Sequence, residues 1–150
     1  MPGKLAKFLA LPVAERAVLL QALVALPATA LALRHSGFEA VALPALAGNP
    51  APPRAATSPD PKRIAVLVGI AARNGPYHGN CLSQSLALWR LLHRRGVTST
   101  LRIGARRSAA GLEAHAWIEH AGTPLNDARD VAQRFPPFRP LAAADLPPLV

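Results

Sequence analysis

The stretch CLSQSLALWRLLHRRG, residues 81–96, decides the architecture, because it combines the clearest helix signals of the chain with its single cysteine. Asn80 precedes it, and an asparagine at a helix N-cap accepts a hydrogen bond from an otherwise unpaired N–H of the first turn. Basic residues close the stretch before Gly96, as is typical of a helix C-terminus. The sequence therefore predicts a helix that begins at Cys81. Its broad apolar face consists of Leu82, Ser85, Leu86, Trp89 and Leu92.

Alternating apolar and polar residues downstream of this helix predict short strands. Residues 97–103 and residues 113–120 each alternate with a period of two, which is typical of half-buried strands. Residues 104–111 between them are predicted to form a polar loop, and residues 123–127 a third strand. We expect an α+β fold.

The turn before the third strand sets the register. If its loop is the three residues 120–122, with Gly122 in the left-handed conformation, His115 lies opposite Asp127 on one face of the sheet. A two-residue loop would shift the register and place the two side chains on opposite faces.

The chain upstream of the cysteine helix divides at a proline-rich stretch. Residues 1–47 are mostly Ala, Leu, Val and Pro and predict an N-terminal segment of two short helices. Residues 48–61 are predicted to be a Pro-rich linker. Residues 62–150 are then the domain that contains the cysteine helix and the strands, and they begin with an amphipathic helix that ends near Asn74.

The apolar run over residues 17–33 lies at the lower edge of the length that spans a bilayer, and Gln21 and Pro27 interrupt it. Glu15 and Arg16 before this run do not suit a signal peptide. We therefore expect helices that pack on the domain or on a partner protein and no membrane association. A single cysteine excludes an intramolecular disulfide and fits a reducing cytoplasm.

Seventeen basic residues against eight acidic ones give a formal net charge of +9. Such a surface attracts acidic partners. The arginines are spread along the chain without interleaved aromatic residues, and aromatics make up 5% of the chain, so we expect no nucleic-acid partner.

Cys81, His115 and Asp127 follow one another as the nucleophile, base and orienting carboxylate of a cysteine acyl-transfer enzyme. A helix N-terminus and a nearby imidazolium both favour the reactive thiolate, and the backbone N–H groups of the first turn can bind an oxyanion. Each residue alone has a common structural role, a buried thiol, a hydrogen-bonded histidine or a turn aspartate. Their order and placement together favour the catalytic interpretation, with no cofactor and no metal site.

The motifs CLSQSLALWRLLHRRGV, LRIGAR and AHAWIEHAGTPLND resemble the transglutaminase-like leader peptidase of lasso-peptide biosynthesis, the protease half of the lasso maturation protein B. The similarity covers residues 62–130. It implies a papain-like fold in which a nucleophile-bearing helix packs on an antiparallel sheet. It also implies a catalytic triad of Cys81, His115 and Asp127.

The resemblance further implies a function and its partners. The family removes the leader from a ribosomally made precursor peptide, with a separate leader-recognition protein that delivers the substrate and an ATP-dependent lasso cyclase that closes the ring. Because no recognition domain precedes the domain here, we expect a split system in which the apolar helices of residues 1–47 are a docking surface. Two alternatives stay open: an acyl transferase with the same triad, and a non-catalytic basic scaffold that binds an acidic partner.

Overall fold

Helices form the first half of the computed structural model, and an antiparallel hairpin forms most of the second half. The structure describes residues 3–53 and 58–138, so the middle of the predicted linker and residues 139–150 of the predicted domain lie outside the described residues. The elements in order are α1 (Lys4–Leu9), α2 (Val13–Leu46), α3 (Pro61–Asn74), α4 (Cys81–Arg94), β1 (Thr100–Ser108), β2 (Gly111–His120), β3 (Thr123–Pro124) and α5 (Val131–Arg134). The α+β fold class is confirmed.

Helix α4 begins at Cys81, as the sequence predicts, because a capping box closes its N-terminus. The side-chain oxygen of Asn80 accepts from Ser83 N at 2.9 Å, and Ser83 Oγ accepts from Asn80 N at 3.1 Å. The helix ends at Arg94, and Gly96 follows with a φ of 76°. Local sequence signals alone fix both ends of this element.

One hydrophobic core joins α2, α3 and α4 to the sheet. Helix α2 contributes Val18, Ala22 and Leu26, which are 0–1% exposed and recur at the four-residue spacing of one helix face. Leu88 of α4 and Leu101 of β1 belong to the same cluster. The N-terminal helix is therefore part of the core that supports α4.

The prediction of two short N-terminal helices is wrong in length, since α2 extends from Val13 to Leu46, with a break at Gly37, after the six-residue α1. The helix continues through Pro27 and bends at Gly37, whose φ of 81° and ψ of 168° are not helical. Burial of one side of α2 against α3 and α4 offsets the hydrogen bond that an internal proline removes. Among the described residues, α2 is the one helix long and apolar enough to cross a membrane, a test that core helices of soluble proteins also pass.

Strands β1 and β2 pair in register from Thr100 opposite Glu119 to Ser108 opposite Gly111. The predicted polar loop over residues 104–111 is therefore wrong, because most of it continues the hairpin. The outer end of the hairpin is exposed to solvent, and there an antiparallel pair tolerates charged side chains on its face. Arg106 and Glu113 form such a pair at 2.9 Å.

The loop before β3 has two residues instead of the three we predicted. His120 pairs with Thr123 and Glu119 with Pro124, and both turn residues, Ala121 and Gly122, have positive φ values of 49° and 77°. Positive φ at both central positions is the geometry of the tight turn that best matches strand twist. The register assumed from the sequence is thus shifted by one residue.

Truncation of Leu88 should test the shared core. Leu88 is 0% exposed, and Leu88→Ala should lower the free energy of unfolding by about 2–5 kcal/mol because it removes buried surface and leaves a cavity. Leu20→Ala, at a position 53% exposed on α2, is the matched control and should change it by less than about 0.5 kcal/mol. Urea unfolding measures both, and equal losses would contradict this core assignment.

Candidate active site

Helix α4 lies along β2 and runs in the same direction. Ser85 Oγ donates to Ala116 O in the middle of β2 at 3.1 Å. One turn later, Trp89 Nε1 donates to Ser99 O, and the next residue, Thr100, pairs with Glu119 near the C-terminal end of β2. Cys81 lies one turn before Ser85, at the first residue of α4. Cys81 is partly buried, and no hydrogen bond within the described ranges joins its sulfur to the His115 ring.

The structure does bring His115 and Asp127 together. Asp127 Oδ2 lies 2.5 Å from His115 Nε2. Its other oxygen, Oδ1, accepts from Ala128 N and from an Arg134 guanidinium nitrogen, both at 2.7 Å. The His115 and Asp127 side chains are 25% and 18% exposed. The carboxylate is thus held from both sides and orients the imidazole.

Burial favours the neutral form of the Asp127 carboxyl, but hydrogen bonds from His115, Ala128 N and Arg134, with the charge of His115, outweigh it. Together they hold the pKa of Asp127 below its usual value. The carboxylate is therefore ionised at neutral pH, as the stabilisation of an imidazolium requires.

The pair forms despite the shifted register because the chain leaves the ladder after Pro124. Leu125 N still donates to Ile118 O at 2.8 Å, but the next ladder position is filled by a side chain, since Asn126 Oδ1 accepts from Ile118 N at 2.8 Å. The backbone then bends, and Asp127 lies beside His115. The predicted strand over residues 123–127 is consequently shorter, and its end forms a bend that delivers the carboxylate.

Aromatic and basic side chains cover the face of the sheet that carries His115. The Phe135 ring lies 4.9 Å from the His115 ring, and the Arg106 guanidinium carbon lies 4.3 Å from the centre of Phe135. Phe135 approaches closely because Gly104 pairs with His115 on the neighbouring strand, and a Cβ there would lie 2.3 Å from Phe135 O. The imidazole therefore has an apolar wall on one side.

The loop that precedes Cys81 is held by its own side chains. His78 Nδ1 lies 2.6 Å from Ala72 O, and Gln84 Nε2 donates to His78 O at 2.8 Å. Gln84, which the sequence left without a role, therefore braces this loop. It also lines an open groove of about 300 Å³ between α3, α4 and Asp127. The described residues hold no cluster of three or more potential metal ligands.

Sequence reasoning missed three contributors to this site: Arg134, Phe135 and Asn126. Arg134 ends the short helix α5 and Phe135 follows it, and the position of this helix against β2 depends on tertiary contacts, so no local pattern marks these two residues. Asn126 had one signal, since asparagine side chains commonly hydrogen-bond to nearby backbone groups.

A comparison with protein families identifies one match. The model of the transglutaminase-like superfamily matches residues 22–139, more than half of the chain. The chain belongs to the transglutaminase-like superfamily. Comparisons with curated proteins and with solved structures gave no match.

The transglutaminase-like superfamily includes cysteine peptidases and acyl transferases. An α+β arrangement of N-terminal helices and a three-stranded antiparallel sheet is consistent with the core of a transglutaminase-like domain. The matched segment starts inside α2 and includes α3, α4 and the whole sheet. The superfamily domain thus contains Cys81, His115 and Asp127.

The lowered pKa of Asp127 predicts a pH-dependent contribution to stability. Because the folded pKa lies below the unfolded value, the ionised carboxylate stabilises the fold fully above the unfolded pKa of about 3.9, and this stabilisation is lost as pH falls through the folded pKa. Asp127→Asn should cost about 1–3 kcal/mol in free energy of unfolding at pH 7, since hydrogen bonds to a charged group are lost. Urea unfolding of both proteins should show that difference shrink from about pH 5 to about pH 2. A difference that does not change with pH would contradict the assigned shift.

Proposed function

We propose that the protein is a cysteine peptidase that removes the leader from a ribosomally synthesised lasso-peptide precursor. The contact between His115 Nε2 and Asp127 Oδ2 carries this proposal, because a carboxylate-oriented imidazole and a cysteine at a helix N-terminus are together the components of acyl transfer. Membership in the superfamily supports the reaction class, and the motifs around Cys81 and His115 support the choice of substrate.

In this proposal the two ring nitrogens of His115 have separate tasks. Asp127 occupies Nε2, so Nδ1 remains to take the proton from the Cys81 thiol. The thiolate attacks the carbonyl carbon of the scissile peptide bond, and backbone N–H groups of the first turn of α4 stabilise the oxyanion. Nδ1 then protonates the leaving amine as the peptide C–N bond breaks, and water hydrolyses the resulting thioester.

An acyl transferase is the second candidate, because the superfamily includes such enzymes and the same residues would form the same thioester. The two candidates differ only in what attacks that thioester. Water releases the leader with a free carboxyl group, whereas an amine acceptor becomes joined to it.

Product masses test the nucleophile and the reaction together. The wild-type chain, incubated with precursor peptide and the leader-recognition protein, should release fragments whose summed mass exceeds that of the precursor by one water. Cys81→Ala should slow this release by roughly 10⁴-fold or more, because the thioester cannot form. Ser99→Ala, which keeps Cys81, His115 and Asp127, is the control and should process the precursor at the wild-type rate. Unchanged processing by Cys81→Ala would exclude the mechanism, and a product joined to an amine would favour transfer.

The proposed partners include a separate leader-recognition protein, which docks on α2, and an ATP-dependent lasso cyclase, which acts on the freed amino terminus. An apolar stripe on α2 supports the docking surface, since Val13, Leu20, Val24 and Leu31 are 53–73% exposed at the spacing of one helix face. The stripe borders an apolar groove of about 430 Å³ between α2 and α4, with Arg90 and Arg94 among its lining residues. A reducing cytoplasm, where the thiol of Cys81 persists, is the proposed location.

Point substitutions test this surface better than removal of residues 1–47, because α2 also supplies buried core residues. Val24→Ser and Leu31→Ser together should weaken binding of the recognition protein by about tenfold, as exposed apolar contacts are lost from the interface. Leu112→Ser, at a position 76% exposed at the tip of the hairpin, is the matched control. Calorimetric titration measures the affinities, and an unchanged dissociation constant for the double variant would refute docking on this stripe.

A further inference from the structure

A hydrogen-bond junction connects three segments of the fold at one serine. Ser85 Oγ of α4 donates to Ala116 O of β2 at 3.1 Å and accepts from Asn126 Nδ2 at 3.0 Å. Asn126 Oδ1 in turn accepts from Ile118 N of β2 at 2.8 Å. We call Ser85 and Asn126 the junction. It connects α4, which begins at Cys81, to β2 and to the loop after β3.

The junction lies close to every member of the proposed triad. Ser85 follows Cys81 by one helical turn. On β2, Ser85 bonds to Ala116, the residue after His115. In the loop after β3, Asn126 is the residue before Asp127. A shift of any one segment against the others would therefore alter the junction and the triad together.

Packing alone does not account for a serine at this position. Ser85 is 0% exposed within an otherwise apolar helix face that includes Leu86 and Leu92. Alanine would fill the site without a hydroxyl group whose burial costs free energy unless it is hydrogen-bonded. Apolar surfaces tolerate small slides of one element over another, whereas directed hydrogen bonds select one position along the strand. The polar junction thus fixes the placement of α4 along β2.

We propose that Ser85 and Asn126 are positioning residues that set the distance between Cys81 and the pair formed by His115 and Asp127. This inference rests on the proposed function, in which the imidazole serves the thiol. Neither junction side chain touches the reacting atoms. Their effect passes through the backbone positions of α4, β2 and the loop after β3.

The reactivity of Cys81 towards iodoacetamide tests the proposal without any peptide substrate. The chain has one cysteine, so alkylation of the full-length protein reports on Cys81 alone. Ser85→Ala and Asn126→Ala should each slow alkylation at pH 6 by about tenfold and leave it unchanged near pH 10, where cysteine thiols in general are ionised. The double variant should be no slower than either single variant, because one substitution already opens the junction.

Two reference variants distinguish a positioning role from loss of stability and from the absence of any interaction between His115 and Cys81. Ser99→Ala also removes a buried serine hydroxyl, one without a hydrogen-bond partner among the described residues, and should leave the pH profile unchanged. His115→Gln should slow alkylation at pH 6 as much as the junction variants do or more. Asn126 is an exposed residue, so Asn126→Ala retains the test if Ser85→Ala proves unstable.

The outcomes discriminate between the two ideas. If His115→Gln slows alkylation while both junction variants behave like Ser99→Ala, the thiol and imidazole interact and the junction does not position them. If His115→Gln leaves the pH profile unchanged, the imidazole does not serve the thiol, and the junction has nothing to position. Slow alkylation at pH 6 in both junction variants, with thermal unfolding midpoints close to that of Ser99→Ala, supports the assigned role.

Discussion

The packing of α4 against β2 is the contact on which the candidate site depends. It holds α4, which begins at Cys81, against the strand that carries His115, through the buried hydrogen bond from Ser85 Oγ to Ala116 O as well as through apolar surface. Because α2 and α3 cover the other sides of α4, the cysteine helix is held on several sides. A site assembled from separate segments requires such rigidity, since misplacement by about 1 Å can cost a hundredfold in rate.

Elements with local signals were predictable, and those that depend on distant contacts were not. Helix α4 could be placed to the residue because Asn80 and Gly96 mark its ends within the segment itself. The register of β3 could not, because a two-residue turn with Ala121 at positive φ has no strong sequence signature. The long α2 was underestimated for a related reason, since Pro27 counts against a helix locally while the core that stabilises it is formed by other segments.

The contact between His115 and Asp127 arises by a different route from the one that suggested it. A three-residue loop would have made His115 and Asp127 direct cross-strand partners. The observed two-residue turn shifts the register, and continued strand pairing would have placed the two side chains on opposite faces of the sheet. A short β3, followed by a side chain that takes the place of the next ladder bond, lets the backbone turn back towards the strand. The order of cysteine, histidine and aspartate along the sequence was thus a better guide to this contact than the predicted strand register.

The arginine beside Asp127 could have competed with the histidine, and the structure shows why it does not. A guanidinium can bind both oxygens of one carboxylate, which would leave none for an imidazole. Here Arg134 Nε donates to Asp130 Oδ1 at 3.2 Å, so its remaining contact with Asp127 is made by one terminal nitrogen to Oδ1. The N–H of Ala128 takes a second position on that same oxygen. Asp130 thereby directs Arg134 to one side of the carboxylate and leaves Oδ2 for the ring of His115.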